Sequence, residues 1–341
     1  MNVQQFHEQA TWFLTELKKR MSAKNIDLSA NWSIDHLCFR VADLAAFEAK
    51  KQAFQEFATM LAESQVNGRP ICTFKLSQPI HFLDRKIDLV ELPAPKQGKI
   101  TKEGFDHIEV VCDQIFSEIK NKFGGSDFDD KSISKDFNAE LELKLGDLAI
   151  KFHHLSLASV IRLENNKKVY AAIVKSQVLS RCRDFSPLIA GTFPLGIQTE
   201  NSDVDILLFC DDLEKALLRL KNIYGSFDAF ESYKSKLAPS ETTYGIVRFC
   251  LDEVPFELYL ENTPTVRQRA YLHFQIEERL LRLGGERLVQ TIIDLRKRGM
   301  KTEPAFAVAL NLQGDPYLKL LEMHHWSEKK LDSLVKESFP G

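Results

Sequence analysis

Apolar residues recur along this chain with two different periods, and the switches between them mark its elements. Near the start, Val3, Phe6, Ala10, Phe13, Leu17 and Met21 follow helical spacing, which predicts an amphipathic helix. Two later stretches, IDHLCFRVADLAAFEAKKQAF (34–54) and FDHIEVVCDQIFSEIKNKF (105–123), share one plan. Each has an apolar residue, then Asp-His, an alternating strand, and an amphipathic helix starting near an Asp suited to N-capping. Strand patterns follow each helix: ICTFKL and KIDLVELP after the first, AELELKL and DLAIKFHH after the second. The plan is βαβββ twice, which predicts two modules building one shared sheet or half-barrel. The most polar break, RLENNKKV (162–169), separates this strand-rich half from one that begins α/β and ends nearly all helical. The expected fold class is α+β in two domains, residues 1–161 and 168–341.

The chain's 341 residues suit two domains. Hydrophobic content of 44% and charged content of 27% are those of a soluble protein able to build full cores. A net charge of −3 gives no global field for nucleic acid or an anionic membrane, though a local basic patch stays open. The N-terminus lacks the continuous apolar core of a signal peptide, and no apolar run is long enough to span a bilayer. Six cysteines, scattered singly with no CxxC, read as reduced residues of a cytoplasmic protein.

Matched positions of the two copies carry potential ligands. His36 and His107 open the two copies, while Glu91 and His153 lie in closing strands. Three imidazoles and a carboxylate suit a divalent transition metal with open coordination positions. Alternation puts His153 on the face of Lys151, away from Leu148, Ile150, Phe152 and His154, so a polar interior takes His153. The bland alternative is a set of strand histidines satisfied by local hydrogen bonds. Glu109 shares a face with His107 and can serve as a base or extra ligand. Arg69, after the turn residues Asn67-Gly68, suits either an anionic substrate group or a surface ion pair.

The blocks IDHLCFRV, NGRPICTFKL, VELPAPKQGK, EGFDHIEVV and IKFHHLSL resemble the YecM family of the vicinal oxygen chelate superfamily, over roughly residues 31–161. The resemblance implies the paired βαβββ fold and a divalent metal held by His36, Glu91, His107 and His153. It implies no particular reaction.

In the second half, GTFPLGIQTENSDVDILLF (191–209) sets Asp203 and Asp205 two apart, on one face of a strand. They are either a metal pair or the polar edge of that strand. Two other acidic pairs serve as controls: Asp127 with Asp129, and Glu140 with Glu142. Only Asp203 and Asp205 follow a Gly-Thr turn, Gly191-Thr192, whose N–H groups and hydroxyl can cradle phosphates. Glu257, in the strand pattern VPFELYLE, is a candidate third carboxylate and general base.

This arrangement resembles the nucleotidyltransferase superfamily, with Thr192 in place of the commoner Ser. The blocks GTFPLGIQTENSDVDIL, RQRAYLHFQIEERLL and KTEPAFAVALNLQGDPYLKLL resemble an uncharacterised bacterial domain family within it, over roughly 168–322. The resemblance implies an α/β domain with a helical C-terminal part that binds Mg2+ with an NTP. Beside it, Thr302 reads as an N-cap before Pro304, and Asp315 as another before Pro316. His273 and Arg269, four apart on one helical face, either line the nucleotide site or form a polar helix surface, and the surface is preferred.

The leading expectation is a magnesium-dependent nucleotidyltransferase acting on a hydroxyl of a small molecule or protein. It would be fused to a metal-binding domain that recognises a small molecule. A second reading makes the first domain a metalloenzyme acting on a small oxygenated substrate, and a third makes the chain a non-catalytic ligand-binding protein. An RNA acceptor is disfavoured by the acidic balance, and the oligomeric state is left open.

Overall fold

Strand β1 (Ser33–Arg40) shows how the first half is built. Leu37 and Phe39 enter an apolar core, while His36, Cys38 and Arg40 occupy the opposite face. The same division runs along β4 (Arg85–Pro93), β5 (Gly104–Val111) and β8 (Leu148–His153). Val90, Leu92, Ile108, Val110, Ile150 and Phe152 are core residues, and Glu91, His107, Glu109, Lys151 and His153 face away from them. One face of this sheet is therefore packed and the other is chemically polar.

The computed structural model describes the chain except residues 67, 97, 99–100, 125–126, 238–241 and 340–341. Asn67, the expected turn residue before Arg69, lies outside the described residues. Two compact units emerge. One comprises Met1–Cys112, Phe116–Lys135 and Ala139–Leu157, and the other Asp113–Ile115, Asp136–Asn138 and Ala158–Gly341.

The first unit starts with helix α1 (Val3–Ala23), opened by a reciprocal cap between Asn2 and Gln5. Its apolar stripe is buried from Phe6 through Phe13 and Leu17 to Met21, while Val3 stays exposed. Each large buried side chain is worth roughly 1.5–3 kcal/mol relative to exposure. Phe6 meets Phe54 and Phe105 edge-on at 5.2 and 5.3 Å. After β1 come α2 (Leu44–Gln55), capped by Asp43, then β2 (Ala58–Val66), β3 (Arg69–Phe82) and β4. The second copy runs β5, α3 (Phe116–Phe123), β6 (Phe128–Asp129), β7 (Glu140–Leu145) and β8. Its helix begins at Phe116, three residues beyond Asp113, so the expected cap at that Asp is replaced by a longer entry.

The eight strands form one sheet, ordered β2-β3-β4-β1-β5-β8-β7-β6. In each copy the first and last strands pair in parallel, and the copies join through antiparallel β1 and β5. The paired βαβββ plan is thus the architecture of this unit. Register corrects one detail of the repeat. Cys38 pairs with Glu91 and Glu109 with Lys151, so the second copy's counterpart of Glu91 is Lys151, and His153 lies two residues further on.

The polar segment 162–169 is helical on both sides of Asn166. It closes α4 (Leu157–Asn165) and opens α5 (Lys167–Ser176), which Asn166 caps. Then come α6 (Val178–Arg181), β9 (Leu188–Ala190), α7 (Thr192–Leu195), β10 (Val204–Phe209) and α8 (Leu213–Tyr224). Strands β11 (Asp228–Leu237), β12 (Thr242–Leu251) and β13 (Val254–Glu261) complete a five-stranded sheet, ordered β11-β12-β13-β10-β9. Strands β10 and β13 run parallel. Tyr224 of α8 stacks on Phe249, which stacks on Phe256, with centroids 4.5 and 4.8 Å apart.

The C-terminal part is helical: α9 (Arg269–Lys297), kinked at Gly285, then α10 (Thr302–Ala309), α11 (Pro316–His324) and α12 (Glu328–Ser338). Asp315 caps α11 through the Leu318 N–H at 2.9 Å. Lys301, not Thr302, stands at the cap position of α10, and the Thr302 hydroxyl accepts from Arg296. No helix among the described residues is long and apolar enough to cross a membrane.

Candidate functional site

On the polar face of the first sheet, antiparallel register sets His36 opposite Glu109 and Cys38 opposite His107. Three imidazoles then converge on one carboxylate. The Nε2 atoms of His107, His153 and His36 lie 3.2, 3.5 and 3.6 Å from Glu109 oxygens. Each ring is fixed from behind. His36 Nδ1–H donates to Asp35 at 3.0 Å, His107 Nδ1–H to Asp106 at 3.1 Å, and His153 Nδ1–H to the Leu155 carbonyl at 2.6 Å. All three rings are about 99% buried, and His36 Nε2 has no partner in hydrogen-bonding geometry.

Ligand atoms of His36, Glu91 and Glu109 lie within 4.8 Å of one another, as do those of Cys38, Glu91 and His107. Glu91 is common to both sets. His153 joins through Glu109 and through Asp35, 3.7 Å away. The residues suit a divalent transition metal. Imidazole and carboxylate donors converge, and carboxylate or carbonyl partners behind each ring set the tautomer that leaves Nε2 to ligate.

Without a cation the cluster balances itself with protons. Burial alone would lower the His36 pKa, but Glu109 and Asp35 hold it well above the ordinary imidazole value. Burial and Lys151 act downward on His107, yet Cys38 and Asp106 bring it up to about 10. Glu109, which burial would raise, is held well below the usual carboxylate range by His36 and Lys151. Lys151 closes the balance at 3.5 Å from Glu109 and 3.4 Å from Glu140.

In the second unit one row crosses the sheet: Ala190 beside Asp205, Asp205 beside Glu257, and Glu257 beside Arg248. Carboxylate oxygens of Asp203, Asp205 and Glu257 come within 4.8 Å of one another. Gly191 makes room for them. A Cβ there would sit 1.7 Å from Asp205 Oδ2, and its φ of +74° is one that L side chains rarely adopt. Thr192 follows, its hydroxyl donating to Ser202 at 3.2 Å. Arg248 donates twice to Glu257 Oε2, at 2.8 and 2.5 Å. Burial, then the charges of Asp203 and Glu257, push the Asp205 pKa well above the ordinary carboxylate value. Hard oxygen donors packed this way suit magnesium.

A cavity of about 210 Å³ opens over Asp205 and Glu257, with Gly191 and Thr192 in its wall. Its far side comes from helices α9 and α10. His273, Glu277, Thr302 and Glu303 all line it. The expectation that His273 and Arg269 form one polar surface holds only for Arg269. His273 is 7% exposed, because Nε2 bonds the Tyr317 carbonyl at 2.9 Å and Nδ1 faces Glu303 at 3.3 Å. Glu277 is 4% exposed with Oε1 unpartnered, and burial with the nearby Glu303 raises its pKa well above the ordinary value.

Three of the four control carboxylates pair with lysines. Asp129 pairs with Lys144 and Lys131, Asp127 with Lys24, and Glu140 with Lys135 and Lys151.

Residues 2–145 match the YecM protein family, and residues 171–323 match a domain of unknown function, DUF4269. The two halves resemble two different families. Protein YecM of Escherichia coli is 36% identical over 98 residues, covering 29% of this chain and 50% of its own. The chain spans about half the length of the curated relatives it matches. Among solved structures, a structural genomics protein, EC4020, is 24% identical with a TM-score of 0.41, over 48% of this chain and 92% of that one. The Cid1 poly(U) polymerase with bound MgGTP is 14% identical with a TM-score of 0.30, over 45% of this chain and 47% of its own.

Proposed function

We propose that the second domain transfers a nucleotidyl group from an NTP to a hydroxyl of a small-molecule or protein acceptor. The observation that carries this reading is the Asp203–Asp205–Glu257 triad, two of whose carboxylates line a cavity beside Gly191, where any side chain would be strained and press on Asp205. In this reading Asp203 and Asp205 hold magnesium. When bound, magnesium supplies charge neutralisation on the phosphate oxygens. The Gly191-Thr192 turn holds the terminal phosphates. The acceptor oxygen forms a bond to the α-phosphorus, the bond to pyrophosphate breaks, and Glu257 Oε1 takes the acceptor proton. Its Oε2 is occupied by Arg248, which orients the carboxylate. Rate enhancement then comes from positioning and electrostatics.

The test is pyrophosphate release from each NTP with magnesium and a panel of hydroxyl acceptors. Release should appear with one acceptor class and vanish in Asp205→Asn. No release with any NTP and acceptor, in protein that binds no nucleotide, would remove the reading.

The first domain, in the same reading, binds a divalent transition metal through His36, Glu91, His107 and His153, with Glu109 among the donors. Three rings with fixed Nδ1 and convergent Nε2 atoms favour it. Such a metal would polarise adjacent oxygens of a small oxygenated substrate. Elemental analysis after exposure to zinc, cobalt or nickel and desalting should give one metal per chain. None retained by wild type would count against it.

A further inference from the structure

The first unit contains a second cavity, of about 190 Å³, distinct from the imidazole–carboxylate cluster. Three of its lining residues are cationic (Arg40, Arg69 and Lys96), Thr101 adds a hydroxyl, and Val41 and Pro93–Pro95 form the rest. No acidic side chain is among these lining residues. Arg40 reaches Asp106 through Nε at 2.8 Å, which leaves both its terminal nitrogens without a partner among the described residues. Arg69 donates Nη1 to the Ala94 carbonyl at 2.6 Å and forms no ion pair with any described residue. The Arg40 charge reaches the partly buried Arg69 guanidinium. Arg69 is disfavoured first by burial and then by Arg40.

Strand geometry ties this cavity to the metal-type cluster. Arg40 shares a face of β1 with His36 and Cys38, and Pro93 shares a face of β4 with Glu91. The Glu91 charge acts on both guanidiniums. Asp106 and Glu91 keep Arg40 charged, whereas Arg69 beside it has no ion-pair partner among the described residues. A guanidinium in that position is costly unless a ligand supplies counter-charge, and paired guanidiniums match the oxygens of a carboxylate or phosphate.

We propose that Arg40, Arg69 and Lys96 form an anion subsite that takes the carboxylate or phosphate end of a small molecule. The other end of that molecule lies over Glu91 and His107. This extends the metal-centre reading of the first domain but stands on a separate set of residues. A cavity of this size accepts the anionic group and a few further atoms, not a polymer.

The experiment titrates the full chain, without magnesium, with inorganic phosphate and separately with malonate, at constant ionic strength. Wild type, Arg69→Gln and Lys96→Gln are compared, each before and after stripping with a chelator. The expected result is saturable binding by wild type of at least one probe, weakened at least tenfold in Arg69→Gln and persisting after stripping. Tighter phosphate would identify a phosphoryl ligand, and tighter malonate a carboxylate. Binding that disappears on stripping alone would assign the anion to the metal centre and overturn the subsite. Equal affinity in wild type and folded Arg69→Gln would overturn it too. If Arg69→Gln does not fold, Lys96→Gln, altered at an exposed position, decides instead: at least a threefold loss supports the subsite, and no loss overturns it.

Discussion

Two cavities of nearly equal size, about 190 Å³ in the first unit and about 210 Å³ in the second, carry opposite charge. The first is lined by Arg40, Arg69 and Lys96. The second is lined by Asp205, Glu257, Glu277 and Glu303, with no lysine or arginine among its lining residues. The polar cluster beside the first cavity balances itself, because imidazoles and Lys151 surround Glu109. In the second, Arg248 pairs with Glu257 and the Arg296 charge offsets part of that of Asp205 and Glu277, but Asp205 still faces two further carboxylates. Such a set, in which carboxylates outnumber the cations beside them, is stabilised by an added cation, whereas Arg69, with no ion-pair partner among the described residues, is stabilised by an added anion. Size alone would make the cavities equivalent, and charge separates their ligands.

Gly191→Ala should break the second cavity most severely. The added Cβ must displace the Asp205 carboxylate and adopt a strained backbone, a loss on the order of 3 kcal/mol. Thermal denaturation should record it, and nucleotide binding should disappear with it. Next, Glu109→Gln removes the carboxylate on which the three rings converge. Transition-metal affinity should fall at least tenfold, read by competition with a chromophoric chelator, while magnesium-dependent nucleotide binding stays unchanged.

Glu277→Gln tests how costly the acidic wall is. The folded-state pKa of Glu277 is raised above its ordinary 4.5, so the folded chain keeps a proton that the unfolded chain releases as pH rises. Wild-type stability therefore falls with pH above about 4.5 relative to the variant. The thermal midpoint of Glu277→Gln should exceed that of wild type at pH 8 and match it near pH 4.5. Equal midpoints at both would mean the carboxyl is not buried in this way. The smallest effect belongs to Arg248→Gln. The ion pair is half exposed at the arginine, so its loss should change stability by less than about 1 kcal/mol in chemical denaturation.

The repeated Asp-His pairs at 35–36 and 106–107 and the Asp-x-Asp at 203–205 are legible in the sequence because each is local: one strand's alternation decides where the side chains point. The paired βαβββ plan is legible for the same reason. Glu109 stands out as a neighbour of His107, but its place among three imidazoles depends on pairing between β1 and β5, which no local pattern encodes. The same register makes Lys151 the counterpart of Glu91. Glu277 and Glu303 give no sign of forming a wall, and His273 only a weak one as a polar residue on a helix face, because helix packing brings them to a sheet whose strands are distant in sequence. The one available signal is charge at positions within the apolar stripe of α9, where Glu277 sits between Ile276 and Leu280. Arg40 gives no signal, since a strand-ending arginine usually faces solvent.

Binding of a nucleotide through magnesium by the second cavity's carboxylates is what the functional reading stands on. Calorimetric titration with a non-hydrolysable ATP analogue, with and without magnesium, probes it without any need to know the acceptor. The comparison protein is the folded Asp203→Asn, Asp205→Asn double variant. Wild type should bind only with magnesium, and the variant should not bind. Failure of wild type to bind any NTP analogue, or equal binding by the variant, would contradict the nucleotide–magnesium site.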